Sequence, residues 1–425
     1  MRAPQLRSIV IAQLARRTLC VTTAILFAAA ALSCATPRPA TRVRVIAPPA
    51  AVPSVPPADS AQIYAVPPPL ELPPGAIEEG PEPEASPQAG GAPAQPGPEE
   101  RIPAAPTSDL VALVLPLDEP AFKRAASAVR DGFLDAAAAA GKSGNCVVIA
   151  HGDDGVVGAF ALARAKGVRV AVGPLVRDDM RTLALADADL PWTLALNQLD
   201  DGTKLPAAIY SFPLTVESDG RTLARRAQAV GAHSIDVVAG DSPLMKRLAS
   251  SFANEWTRRG GTAPAALRFD PAPESLGVLQ RTLARDPPDA LLLAVTGEYA
   301  ALVKPYIGNV VAYASGLVFE RPSAAVARDL DGVRVVEIPW LLTPDAPRFA
   351  AFARRNFDSD SLARLYALGR DAYTIAASFA DGPPEHFDAD GATGHITLGP
   401  GHEFQREGVL GVYRDGALVP IDSTP

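Results

Sequence analysis

The chain has 425 residues, with 39 Lys and Arg against 47 Asp and Glu, a formal net charge of -8 and 48% hydrophobic residues. The acidic balance and the lack of any basic run exclude nucleic acid as a partner. Length alone permits two or three domains, but 20 of the 43 prolines fall within residues 35–107, so the folded part is confined to residues 108–425.

In chain order, four arginines (Arg2, Arg7, Arg16, Arg17) and no acid precede an apolar run from Leu19 to Leu32. The run is short for a bilayer span, so residues 1–33 predict a cleaved signal peptide rather than a membrane anchor. The context Ala31-Leu32-Ser33-Cys34 resembles the lipobox of bacterial lipoproteins, with Ala31 where leucine is more usual. That resemblance implies lipidation at Cys34, which becomes the new N-terminus. Ala35, not aspartate, follows it, and by the same resemblance the lipid is sorted to the outer membrane, with the chain facing the periplasm.

Residues 34–107 contain Pro67-Pro68-Pro69, an acidic Glu-Pro stretch near residue 80 and few large apolar side chains. Such a tract cannot offset the entropy of ordering it and reads as a disordered linker. At about 3.1 Å per residue, some seventy residues reach on the order of 200 Å when fully extended.

From residue 108 the pattern alternates apolar strands and amphipathic helices. Predicted strands are Leu110–Leu117, Cys146–Ala150, Val168–Gly173 and Trp192–Leu196; predicted helices are Phe122–Ala140, Val156–Lys166 and Asp178–Ala186. The rhythm then repeats. Helices are predicted at Val216–Val230, Pro243–Gly260, Ser275–Ala284 and Glu298–Tyr306, strands at Ser234–Ala239, Ala266–Phe269, Ala290–Val295 and Val310–Ala314. A helix from Ala346 to Phe379 and β-hairpins at 391–398 and 408–421 complete the chain. Two βα blocks predict an α/β fold of two doubly wound parallel-sheet lobes. The first is expected at about 108–213 and 343–390, the second at about 214–340 and 391–425.

Stretches spread over residues 108–425 are similar, in order, to the penicillin-binding protein activator family (LpoA/LppC-type outer-membrane lipoproteins). They include Val172-Gly173-Pro174-Leu175, Leu194-Ala195-Leu196-Asn197-Gln198-Leu199, Arg364-Leu365-Tyr366-Ala367-Leu368-Gly369-Arg370-Asp371 and Gly391-Ala392-Thr393-Gly394. The resemblance implies a type I periplasmic-binding-protein-like domain. It implies a partner too, an inner-membrane bifunctional penicillin-binding protein, which the domain activates to regulate peptidoglycan synthesis. Long family members carry a helical-repeat domain where this chain has its proline-rich linker.

No Gly-x-Ser-x-Gly elbow, Walker loop or His-Glu-x-x-His occurs, so no enzyme activity, catalytic residue, metal or cofactor is expected. His386, His395 and His402 lie near Asp388 and Asp390 without a common ligand spacing. Cys146, in an apolar strand, reads as an inert thiol. The alternative function is capture of a small molecule of unknown identity between the lobes, with Asp118, Arg177, Asp178, Asn197 and Trp340 as the candidate ligand residues. Acids at the turn Val176-Arg177-Asp178-Asp179 disfavour an anion at that helix start, and simple helix capping accounts for Asp178 and Asp179 equally. Trp340, expected near a crossover between the lobes, either wedges the hinge or lines the cleft, with core packing as the alternative. Arg258-Arg259 and Arg354-Arg355 are candidate surface contacts, or merely solvated charges.

Overall fold

A computed structural model describes residues 108–421, apart from 153–154, 187, 200–203, 320–321, 354 and 380–381. Cys34 and the proline-rich linker lie outside the described residues, as does Arg354. No helix among the described residues is long and apolar enough to cross a membrane.

β1 (Val111–Leu115) is buried at every position, as a strand covered on both faces must be. It starts a five-stranded parallel sheet with β2 (Cys146–Ala150), β3 (Val170–Val172), β4 (Thr193–Ala195) and β5 (Ile209–Ser211), in the order β2-β1-β3-β4-β5. Side chains alternate across it. Val111, Leu113 and Leu115 pack on α1 (Lys123–Ala139) and on a late helix, α10 (Asp360–Ala377). Ala112 and Val114 pack on α2 (Val156–Ala165) and α3 (Arg177–Leu185). Where α1 and α10 cross, a Cβ on Gly132 would run into the Tyr366 carbonyl and one on Gly369 into the Val129 carbonyl. Glycine at both positions therefore lets the two backbones approach closely.

The second sheet takes β6 (Ile235–Ala239), β7 (Ala265–Arg268), β8 (Ala290–Ala294), β9 (Val311–Ser315) and β10 (Arg334–Glu337) in parallel. α4 (Val216–Ala229) and α5 (Pro243–Arg258) cover one face through Leu223, Leu248, Phe252 and Trp256. α6 (Pro273–Arg285), α7 (Gly297–Val303) and α8 (Ala324–Asp329) cover the other. The hairpin β14 (Val409–Arg414) and β15 (Ala417–Pro420) extends this sheet antiparallel to β10. Its tight turn places Asp415 and Gly416 at φ 52° and 76°, the positive values that a two-residue hairpin loop requires.

The α/β two-lobed expectation holds, and three particulars differ. The expected helix at 346–379 is a 3-10 turn at Pro347–Phe349, then irregular chain, then α10. Pro347 starts only that short turn, and the Ser359 hydroxyl accepts a bond from Leu362 N at 3.3 Å, capping a separate helix. Residues 391–407, expected in the second lobe, belong with the first. β11 (Asp388–Asp390), β12 (His395–Leu398) and β13 (Phe404–Glu407) form their own antiparallel sheet, and its inward residues Ile396, Leu398 and Phe404 join the first lobe's core. Four strands, β5, β10, β11 and β13, and the short helices α8 and α9 (Pro339–Leu342) were not anticipated as elements. The chain thus passes between lobes three times, near residues 212–216, 338–343 and 407–409.

Candidate functional site

In an open α/β sheet, ligands bind outside the carboxyl ends of the strands, where the strand order reverses. In the first lobe that point lies between β1 and β3. Asp118 follows β1, the 173–179 turn follows β3, and Asn197 follows the adjacent β4, so the fold lines these expected residues along one edge. A Cβ on Gly173, at φ 122°, would strike the Val114 carbonyl, which explains glycine at that turn.

Asn197 and Asp178 on this edge are already engaged. Asn197 Nδ2 donates to the Leu175 carbonyl at 3.0 Å, and its Oδ1 accepts from Gln198 N at 2.9 Å, tying the turns after β3 and β4 together. Asp178, with 88% of its side chain exposed, pairs with Arg181 one turn along α3 at 2.8 Å. It is not the helix cap; Val176 holds that position without a side-chain bond. Arg177 is half-buried at the first position of α3, and Asp118 is exposed, its amide donating to the His151 carbonyl at 3.2 Å. Asp179 lies 3.8 Å from Nε2 of buried His151. Burial, and then the Asp178 charge beside it, pushes the Asp179 carboxyl up to about 6.

The second lobe's corresponding point, between β6 and β8, is built the same way. The Ser242 hydroxyl caps α5 by accepting from Met245 N at 3.2 Å, and Thr296 caps α7 by accepting from Tyr299 N at 3.4 Å. Asp241 holds Arg268 at 2.9 Å. These strand ends stabilise their own helix starts.

Trp340 does not share that edge. It sits in α9 at the second crossing, 9% exposed, with ring centroids 5.1 Å from Tyr366 and 6.0 Å from Phe357, and its amide donates to the Ala392 carbonyl. It packs the crossing. The surface candidates Arg258, Arg259 and Arg355 are held by Glu255, Gln228 and Asp135 respectively. His395 pairs with Asp390 at 3.0 Å, whereas His402 stacks on Tyr210 at 4.3 Å, and among the described residues no group of three or more side chains suits a metal ion. Cys146 is half-buried and its thiol is pushed up by burial.

The groups that sequence reasoning passed over lie at the crossings. Arg406 on β13 donates to Asp219 of α4 at 2.7 Å, with both side chains under 5% exposed. Asp219 also accepts from Ser315 at 2.6 Å, and the Arg406 carbonyl accepts from Ser218 at 2.6 Å. Burial pushes the Asp219 carboxyl up, and the guanidinium opposes it. Glu337, at the end of β10, takes two bonds from Arg364 of α10 at 3.0 and 2.6 Å, also buried. Asp371 anchors the 391–394 turn through the amides of Ala392 and Thr393 and the Thr393 hydroxyl. Two buried ion pairs therefore join first-lobe arginines to second-lobe acids. The available signal was a set of charges, Arg364, Arg370 and Asp371, on a helix otherwise apolar enough for a core.

Two sheets with reversed strand order, joined by three crossings, define a periplasmic-binding-protein-like domain. A family model described as "LppC putative lipoprotein" matches residues 104–284 and 275–416, and the chain belongs to that family. It is 28% identical over 304 residues to a protein from Edwardsiella ictaluri named penicillin-binding protein activator LpoA, across 61% of this chain and 44% of the relative. A Haemophilus influenzae protein of the same name is 23% identical over 272 residues, across 62% of this chain and 47% of the relative. The chain thus spans about half the length of these curated relatives. Among solved structures, the H. influenzae LpoA C-domain, titled a regulator of PBP1A, superposes with a TM-score of 0.63 at 22% identity, over 73% of this chain and 99% of that one. A Chromobacterium violaceum protein titled "putative branched-chain amino acid ABC transporter" gives a TM-score of 0.63 at 29% identity, over 72% and 100%.

Proposed function

We propose that this chain is a lipid-anchored protein that docks on an inner-membrane bifunctional penicillin-binding protein and raises its peptidoglycan-synthesising activity, without catalysing a reaction itself. In this reading Cys34 carries the lipid in the outer membrane and residues 35–107 supply reach across the periplasm. Family membership over residues 104–416 supports it, as do relatives named as activators rather than catalysts. The carrying observation is the internal use of the strand-end groups in both lobes, Asn197, Ser242 and Thr296 above all. Those are the groups a small ligand would need. Activation then follows from tighter binding to the synthase's active state than to its inactive one.

The test is peptidoglycan synthesis by the cognate synthase with increasing amounts of this protein, beside a binding titration. Saturable stimulation that follows occupancy is the expected result. Neither binding nor stimulation would return the function to ligand capture between the lobes.

A further inference from the structure

Arg258 and Arg259 at the end of α5 stand beside Arg225 and Arg226 of α4, and the four guanidinium groups share two carboxylates among the described residues. Glu407 of β13 takes Arg225 and Arg226, each at 3.1 Å. Glu255 takes Arg258 at 2.7 Å and lies 3.9 Å from Arg225. Arg259 donates to the neutral Gln228 at 2.7 Å. These contacts tie the arginines into one ridge along two helices. Arg226 and Arg258 keep 45% and 68% of their side chains exposed.

Glu255 registers the surplus of positive charge. The bond from Arg258 holds its carboxyl below the usual range although the side chain is buried, and the charges of Arg258, Arg225 and Arg259 add to the effect. The ridge therefore presents an uncancelled positive field to solvent, in a chain whose formal net charge is -8.

The chain itself contains a matching anion. Residues 45–100 carry eight carboxylates and no Lys or Arg, and four of the eight fall in Glu78-Glu79-Gly80-Pro81-Glu82-Pro83-Glu84. At the polyproline rise of about 3.1 Å per residue, Glu79 and Glu82 are one turn apart, about 9 Å, on one face. Packed helices lie about 8–10 Å apart, so two such carboxylates fit the spacing of the arginine pairs on α4 and α5. Glu84 comes 24 positions before Ser108, which is tied to the first lobe through the Gly167 carbonyl at 2.9 Å. That length spans up to about 70 Å, against about 50 Å across a domain of this size.

We propose that the arginine ridge of α4 and α5 is a docking site for the chain's own acidic stretch, residues 78–84. Covalent attachment supplies an effective concentration in the millimolar range, so a weak multivalent contact is enough to populate the docked form. Docking holds residues 85–107 as a loop against the domain and shortens the part of the linker that gives reach. An anionic partner that competes for the ridge releases it. The inference stands apart from the synthase reading and is tested without it.

The experiment is limited digestion of the full-length protein in detergent with a glutamate-specific endoprotease. The readout is the rate of cleavage after Glu84 divided by the rate after Glu71, an acid of the same linker outside the stretch. Arg226→Gln with Arg259→Gln removes the two surplus charges at exposed positions and should leave the melting temperature unchanged. At low salt the ratio should be about threefold lower in the parent than in this variant, and the gap should close near 1 M salt, where the screening length falls to about 3 Å. Equal ratios at low salt, or a parent ratio that salt leaves unchanged, would overturn the proposal. A second measurement titrates a peptide of residues 76–86 into the full-length protein with Glu78, Glu79, Glu82 and Glu84 all changed to Gln. Binding with a Kd on the order of 1 mM is expected, and none for the same peptide with four Gln. Peptides that do not differ overturn the proposal. Peptide binding without protection of Glu84 in the parent also overturns it, because the ridge then serves an acidic partner in trans.

Discussion

The carboxyl-end edge of the first lobe and the crossings between lobes use charge in opposite ways. At the edge, Asp178 is exposed and pairs with a residue on its own helix, a contact of the kind that contributes little in water. At the crossings, Asp219 and Arg406 meet across 187 positions of sequence with almost no exposure. The first kind of charge is expendable. The second sets how the lobes meet, since a buried ion left without its partner is heavily penalised. The difference teaches that sequence position at a familiar turn says less about a charged group than what the fold packs around it.

The strongest way to break this comparison is Arg406→Ala. It strands Asp219 in the interior and removes bonds to the Thr393 and Thr215 carbonyls. The expected loss is about 3–5 kcal/mol in urea unfolding. The double variant Asp219→Leu with Arg406→Met should recover most of that loss, because a packed apolar pair needs no compensation. A single variant as stable as the parent would show that Asp219 is protonated at neutral pH and that the pair is no ionic link.

Asn197→Ala comes next in size. If the amide holds the turns after β3 and β4 together, stability falls by about 1–2 kcal/mol for the two bonds lost, and stimulation of the synthase falls no further than the unfolding explains. An unchanged melting temperature would move Asn197 from a structural tie back to a residue available to a ligand.

Much of this fold can be read from the sequence, for a physical reason. Parallel strands covered on both faces are continuous apolar runs, so Val111–Leu115 and Ala290–Ala294 stand out. β10, Arg-Val-Val-Glu, is four residues long with a charge at each end, and β5 is only three residues, so neither carries a period to detect. Residues 391–407 go to the wrong lobe on pattern alone, because alternation predicts a hairpin but not the core that receives Ile396 and Phe404. The crossings are harder still. Arg364 and Asp371 look like any polar positions on a helix until Glu337 and the 391–394 turn are brought to them from distant sequence. Recognising the family stretches that contain them locates the residues without saying what they hold.

The smallest expected effect separates the edge from the crossings most finely, because its size depends on pH. The Asp179 carboxyl is raised from 3.8 to about 6 by burial and by Asp178, so between those values the folded protein binds more protons than the unfolded chain. Stability from this group is therefore present below about pH 4 and is lost as the pH rises through 6. Asp179→Asn removes the charge that burial disfavours. Thermal unfolding should show the variant more stable than the parent at pH 7.5, by on the order of 1 kcal/mol once partial solvent screening is allowed for. The advantage should shrink through pH 5 and vanish near pH 4, where the parent carboxyl is itself protonated. A variant less stable than the parent at pH 7.5 would mean that His151, 3.8 Å away, carries a proton and pairs with the carboxylate. The edge would then hold a buried ion pair of its own, and the contrast with the crossings would be one of degree.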